Sequence, residues 1–196
     1  MAPLKTFFGL MYARRWFGAG GALLCLALFA QAVLAAERTP LERSVKAAFL
    51  YKFAGYVEWP QGTLPQATTP LVIATAGADD IAAELEQAVA GRTLNDRPVV
   101  VRRIAEGESL AGVHILFIGT QERVRIAAWI RASHVYPVLV VTEGENSLAQ
   151  GSALNFVLHD GRVRFEAYPE AAERKGLKLS SRLLGVALNV RQGAPS

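Results

Sequence analysis

Apolar and polar positions along this chain follow two periods, and the places where one gives way to the other mark its elements. Leu41, Val45, Ala48, Phe49, Phe53 and Tyr56 recur at helical spacing and predict one apolar stripe. Thr39-Pro40-Leu41-Glu42 opens that helix as a capping box with proline at the first helical position. Trp59-Pro60 stops it, because the residue before a proline is pushed out of the α region. Within the stripe Phe49 and Phe53 are expected to face the core, which leaves Tyr51 pointing elsewhere. Gln61–Pro70, rich in Pro, Thr and Gln, reads as a loop.

From Leu71 the pattern switches between short apolar runs and amphipathic segments. Leu71–Ala76, Val99–Ile104, Val113–Ile118 and Val138–Thr142 read as strands. Between them, Asp79 or Asp80 caps a helix with Ile81, Leu85, Ala88 and Val89 on one face, and Gly91 ends it. Gly119-Thr120 opens another helix with Val124, Ala127, Ala128 and Ile130. Apolar strands separated by amphipathic helices predict an α/β fold of three layers, a mostly parallel central sheet with flanking helices.

The last third adds a C-terminal antiparallel hairpin. Leu154–His159 and Arg162–Ala167 flank Asp160-Gly161, a two-residue turn signal that sets the register. Leu158 then opposes Val163, Phe156 opposes Phe165 and Leu154 opposes Ala167 on an apolar face. Asn155, Val157, Arg164 and Glu166 share the other face, which is mixed and open either to water or to a bound partner. A short helix from Pro169 ends near Gly176, and Ser180 or Ser181 caps a final helix through Leu183, Leu184, Ala187 and Leu188.

Charge and composition alter the picture mainly at the N-terminus. The first 35 residues hold Lys5, Arg14 and Arg15, no acidic residue, and an apolar run from about Ala19 to Leu34 before Ala35. This predicts a cleavable secretory signal over 1–35, with an uncleaved anchor as the alternative. Arg14-Arg15 leaves both the general and the twin-arginine export routes open. Without the leader, 18 Lys+Arg face 17 Asp+Glu over residues 36–196. So nearly balanced a chain has no basic footprint for nucleic acid. Cys25 lies within the leader, so the mature chain has no thiol chemistry and no disulfide. Residues 36–196 are expected to form a single domain stabilised by its core alone.

The chemistry-bearing residues are sparse. No G-x-S-x-G elbow, Walker loop, H-E-x-x-H or G-x-G-x-x-G after a strand is present. His114 opens an apolar strand and reads as structural; His134 and His159 have no metal partner at useful spacing. No catalytic residue, metal ligand or cofactor is expected. Two places attract a binding hypothesis. The first is the crevice beyond the carboxyl ends of the strands, where Gly77, Asp79, Thr120 and Glu143 fall. The second is a partner surface made of Tyr51, Tyr56 and Trp59 at the first helix's end, with Asn155, Val157 and Arg164 on the hairpin.

Several segments together resemble the YfiR-type family of periplasmic proteins. Ala47–Pro60 resembles its opening helix with the Lys-Phe…Val-Glu-Trp-Pro ending, and Gly91–Arg103 its central turn and strand. Leu110–Gly119 resembles the next strand, Asn155–Glu166 the hairpin, and Gly176–Leu184 the closing helix. The resemblance implies a periplasmic α/β protein that commonly dimerises. It further implies a role in restraining a membrane-bound diguanylate cyclase by binding its periplasmic sensor domain, which links it to cyclic di-GMP and biofilm. Two departures stand out. Val113 stands where some members carry a cysteine, which removes redox control of that kind. Ala167-Tyr168-Pro169 follows Phe165-Glu166 where the family often continues into a polar Asn.

The expected function is therefore a non-enzymatic periplasmic regulator of an inner-membrane signalling protein, cyclase or sensor kinase. The alternative is a periplasmic small-ligand-binding module using the crevice at the carboxyl ends of the strands.

Overall fold

A computed structural model describes residues 40–66 and 68–193. The leader, its Cys25 and the capping Thr39 lie outside them. Residues from Glu42 onward form one compact unit.

The first helix, α1, covers residues 40–53 and tightens into a 3-10 turn at Ala54–Tyr56. Its buried face is Lys46, Ala47, Leu50, Phe53 and Ala54, with Phe49 packed at its margin. Leu41 and Ala48, expected in the stripe, are exposed. The stripe is rotated because the buried face includes Lys46, a residue that an apolar count skips. The helix also stops before Trp59: Val57–Glu58 is a short strand, β1.

Strand β2 (Leu71–Ala76) matches the expected span, and helix α2 (Asp79–Val89) buries Ile81, Ala82, Leu85 and Val89. Its N-cap is Ala78; Asp79 and Asp80 sit in the first turn, where their charge favours the helix dipole without a side-chain cap. Strands β3 (Thr93–Leu94) and β4 (Arg97–Arg103) form a hairpin over Asn95-Asp96, both at positive φ, so β4 starts two residues earlier than expected. Strand β5 is Ile115–Ile118. A 3-10 turn at Thr120–Arg125 then precedes helix α3 (Ile126–Ala132), which buries Ile126, Trp129 and Ile130. That turn shifts the helical phase and leaves Val124, expected inside, 92% exposed.

Strand β6 (Leu139–Thr142) leads through the short helix α4 (Ser147–Gln150) into β7 (Leu154–His159) and β8 (Arg162–Ala167). The β7–β8 register is the expected one at every pair, from Leu154↔Ala167 to His159↔Arg162. Helix α5 (Pro169–Glu173) and strand β9 (Lys178–Leu179) follow. Ser180 caps α6 (Ser181–Leu184) by accepting the Leu183 N–H. The expected long final helix ends there, and β10 (Asn189–Val190) takes its place.

Eight strands build the central sheet in the order β10-β8-β7-β6-β5-β2-β4-β3, parallel except at β3·β4 and β7·β8. A separate two-stranded sheet pairs β1 with β9 antiparallel. Alternating strand residues feed two cores. On one face Ile73, Phe117, Val141, Phe156 and Phe165 pack with α1, α2 and α5. On the other Ala74, Leu116, Ile118 and Val140 pack with α3. The larger core centres on four rings: Phe53 meets Phe165 edge-on at 5.0 Å and stacks on Phe156 and Phe49, each at 5.7 Å. Such pairs add about 0.5–1.5 kcal/mol each beyond the area they bury.

Candidate functional site

A parallel sheet offers ligands the carboxyl ends of its strands where successive connections diverge. Here β2 leads toward β4 on one side, and β5 leads toward β6 on the other. The two loops at that point close on each other. A Cβ on Gly77 would lie 2.7 Å from Glu122 Cγ, and one on Gly119 would lie 2.5 Å from the Gly77 carbonyl oxygen. Glycine at both places permits loop-on-loop packing. The Glu122 side chain over Gly77 is clamped by two 2.7 Å bonds from Arg125 and a 3.0 Å bond from Trp129 Nε1. The Arg125 hydrogen bonds hold its carboxyl below the ordinary range. Asp79 points to Arg103, 3.7 Å away.

The open space lies one strand further along. Past the ends of β5 and β6, the hairpin β7–β8 continues beyond its neighbours, since β6 pairs with β7 only at Leu154 and Asn155. The result is a groove of about 650 Å³. Thr120, Glu143 and Asn146 form its rim, Asn155, Val157 and Glu166 its hairpin wall, and Glu42 and Lys46 its side toward α1. Thr120 and Glu143 from the expected crevice thus meet Asn155 and Val157 from the expected partner surface in one place. Arg164 stands directly across from Val157.

Lys46 organises this groove. Only 9% exposed, it donates to Glu42 Oε1 at 2.6 Å and to Glu143 Oε2. The other oxygen of Glu143 accepts the Thr120 N–H at 3.0 Å. Burial alone would lower the Lys46 pKa, but the hydrogen bonds and charges of Glu143 and Glu42 outweigh it and raise the value. One ammonium thereby ties α1 to the loops after β5 and β6.

Beneath the groove a buried polar network fixes the loop that carries Glu143. Asn155 Oδ1 accepts from Thr142 Oγ1 at 2.9 Å and from the Gly144 N–H at 3.1 Å. Ser147 Oγ donates to the Gly144 carbonyl at 2.8 Å, and Ser152 Oγ to that of Leu154 at 2.6 Å. Thr142, Ser147, Ser152 and Asn155 are all buried. Buried hydrogen-bond networks of this kind rigidify the segment that they join. The Asn155 Nδ2 group makes no hydrogen bond among the described residues, and its side chain lines the groove.

The aromatics at the end of α1 each have a partner of their own. Tyr51 packs against the core and donates to the Thr93 carbonyl at 2.9 Å. Tyr56 is 40% exposed, and its carbonyl accepts the Ser180 N–H at 2.9 Å. Trp59 makes a T-shaped contact with His114, with centroids 6.1 Å apart. His114 itself is structural: Nδ1 accepts the Val72 N–H at 3.1 Å, and burial keeps its pKa low.

Lys46, Glu42, Asn146 and Leu158 are among the groove residues that sequence reasoning missed. The i,i+4 spacing of Glu42 and Lys46 was a visible signal; the partner at Glu143 was not. Among the described residues no group of three or more His, Cys, Asp or Glu stands close enough to hold a metal ion. No helix among them is long and apolar enough to cross a membrane.

A family model described as YfiR/HmsC-like matches residues 43–188. A search of curated proteins found no match. Among solved structures, the chain is similar to a conserved domain protein from Vibrio cholerae O1 biovar El Tor at 9% identity and a TM-score of 0.46. That alignment takes in 66% of this chain and spans 57% of the other.

Proposed function

The chain belongs to the YfiR/HmsC-like family, and from that premise we propose that it is a non-enzymatic periplasmic regulator. It binds and restrains the periplasmic sensor domain of an inner-membrane signalling protein, with a diguanylate cyclase as the first candidate. The observation that carries this reading is the hairpin tip beside the groove. Leu158 is 61% exposed there, opposite Val163, which exposed Arg162 and Arg164 flank along β8. An apolar residue with a polar rim on a rigid hairpin is the anatomy of a docking surface. The exported chain then captures a membrane protein with a cyclase or kinase output domain from solubilised envelopes, and its deletion changes cyclic di-GMP. No captured sensor together with unchanged cyclic di-GMP would sink the reading.

A small-ligand module is the second reading, and the free Asn155 amide inside the groove favours it. It predicts a rise in melting temperature with a metabolite that accepts a hydrogen bond from Nδ2, lost in Asn155→Ala. A broad metabolite screen without any shift counts against it. Thr120→Ala is a poor test, since Thr120 enters the site's bonding through its backbone N–H.

A further inference from the structure

On the hairpin side the central sheet ends at the two-residue β10, which covers only part of β8 and leaves that edge half closed. In a hairpin with a two-residue turn, opposed pairs alternate between those that exchange backbone hydrogen bonds and those that do not. His159↔Arg162, Val157↔Arg164 and Asn155↔Glu166 are the exchanging pairs. The backbone groups of Val163, Phe165 and Ala167 therefore point away from β7. The segment around β10 takes the inner ones: Leu188 N–H donates to the Phe165 carbonyl at 2.7 Å and Arg191 N–H to that of Ala167 at 2.8 Å. β10 itself pairs only with Glu166 and Ala167. The N–H and C=O of Val163 are left facing outward beyond its end.

Two cations flank this gap. Arg162 and Arg164 are both exposed, lie on one face of β8, and have no carboxylate at ion-pair distance among the described residues. Arg103 and Arg125, by contrast, are each engaged by acidic neighbours. A shallow hollow of about 300 Å³ lies between His159, Asp160, Arg162 and Arg164.

We propose that this edge receives an extended acidic segment of the partner protein, which adds to β8 as a further strand. Its main chain pairs with Val163, and carboxylates at alternate positions meet Arg162 and Arg164. Strand addition takes its affinity from main-chain hydrogen bonds and its specificity from alternate side chains. A second copy of this chain fits badly. Two-fold antiparallel pairing about Val163 would set Arg162 against Arg164 of the copy twice, and like charges directly opposite are destabilising. The sheet's other edge is guarded instead: β4 carries Pro98 where β3 covers it and, beyond β3, Arg103 held by Glu86 and Asp79 and Arg102 bonded to the Ser109 carbonyl. The proposal rests on the regulator reading only for the identity of the partner.

The test uses the whole exported chain and a short synthetic peptide with Glu at alternate positions between Val and Thr. The controls are the same peptide with Lys for Glu and one with the Glu residues in a block. Hydrogen exchange should show the Val163 amide protected by the alternating acidic peptide alone. The double variant Arg162→Glu with Arg164→Glu should reverse the preference toward the Lys peptide, each affinity moving by about tenfold or more. Val163→Pro removes the outward N–H without breaking a bond of the hairpin and should also abolish binding; the charge-reversed variant decides if it fails to fold. Equal binding of acidic and basic peptides, no protection at Val163, or self-association through this edge overturns the proposal. If Val163→Pro and the charge reversal leave capture of the membrane partner intact, strand addition falls while the regulator reading stands. If the peptide behaves as expected and no membrane partner is captured, the reverse holds.

Discussion

The two halves of the β7–β8 hairpin belong to one continuous ladder and do opposite work. At its base Leu154, Phe156, Phe165 and Ala167 are buried, and the phenylalanines lock against Phe49 and Phe53 of α1. At its tip Leu158, His159, Arg162 and Arg164 are exposed, although the same register continues to the turn. The alternation of apolar residues is equally good in both halves. What differs, among the described residues, is whether the rings of α1 pack on them. Here the line between core and exposed tip follows the reach of Phe49 and Phe53, and not the residues of the strands themselves.

The comparison breaks most visibly at the base. Phe165→Ala removes a ring that touches both Phe49 and Phe53, and should cost about 3–5 kcal/mol in urea unfolding. A loss no larger than that of a tip substitution would mean that the base is not the anchor. Next in size is the clamp that holds α1 over the hairpin. Glu143→Ala leaves the buried Lys46 with one carboxylate, at a cost of about 3 kcal/mol. The pair Lys46→Met with Glu143→Leu should recover most of that loss, because it removes both charges together. Since Lys46 has its pKa raised by folding, its contribution is fully present below the unfolded value near 10.5 and is lost as pH climbs through the folded value.

A control away from the hairpin sharpens that pH argument. Lys175 donates to Ser133 Oγ at 2.6 Å, and burial, helped by the Arg174 charge, lowers its pKa to about 8. The unfolded chain binds the extra proton between about 8 and 10.5, so stability should rise with pH across that window. Lys175→Met should flatten the rise; an unchanged profile would assign it to other groups. The smallest effect belongs to the tip. Leu158→Ala should change stability by no more than about 0.5 kcal/mol, yet weaken capture of the membrane partner in a pull-down. A large loss of stability would place Leu158 in the core and remove it from the surface.

These regions also mark what the sequence makes legible. The hairpin register is readable throughout, because Asp160-Gly161 permits one turn geometry and the turn fixes every pair behind it. The phase of α1 is not, since a lysine occupies its buried face and the acid that neutralises it lies far along the chain at Glu143. Val124 was misplaced for a local reason, a 3-10 turn that shifts the count before α3 begins. Strands β1, β3, β9 and β10 have two residues each, too few for any period to show. The groove suffers from both limits. Each wall can be guessed from its own strand end, but their meeting depends on how far β7 outruns β6, and pairing between strands sets that.

The small sheet of β1 and β9 has a consequence for how the molecule comes into being. Val57 pairs with Leu179, and Glu58 with Lys178, so one of the earliest elements waits for one of the last. The Phe53–Phe165 contact spans nearly as much chain. Contacts this distant in sequence slow folding, because the loop entropy is lost before the contact rewards it. An emerging chain therefore stays open until its final segment arrives, and then closes like a belt whose buckle is its last link. Truncation just before Lys178 should leave a collapsed but unlatched chain, even though almost all of the central sheet is already encoded.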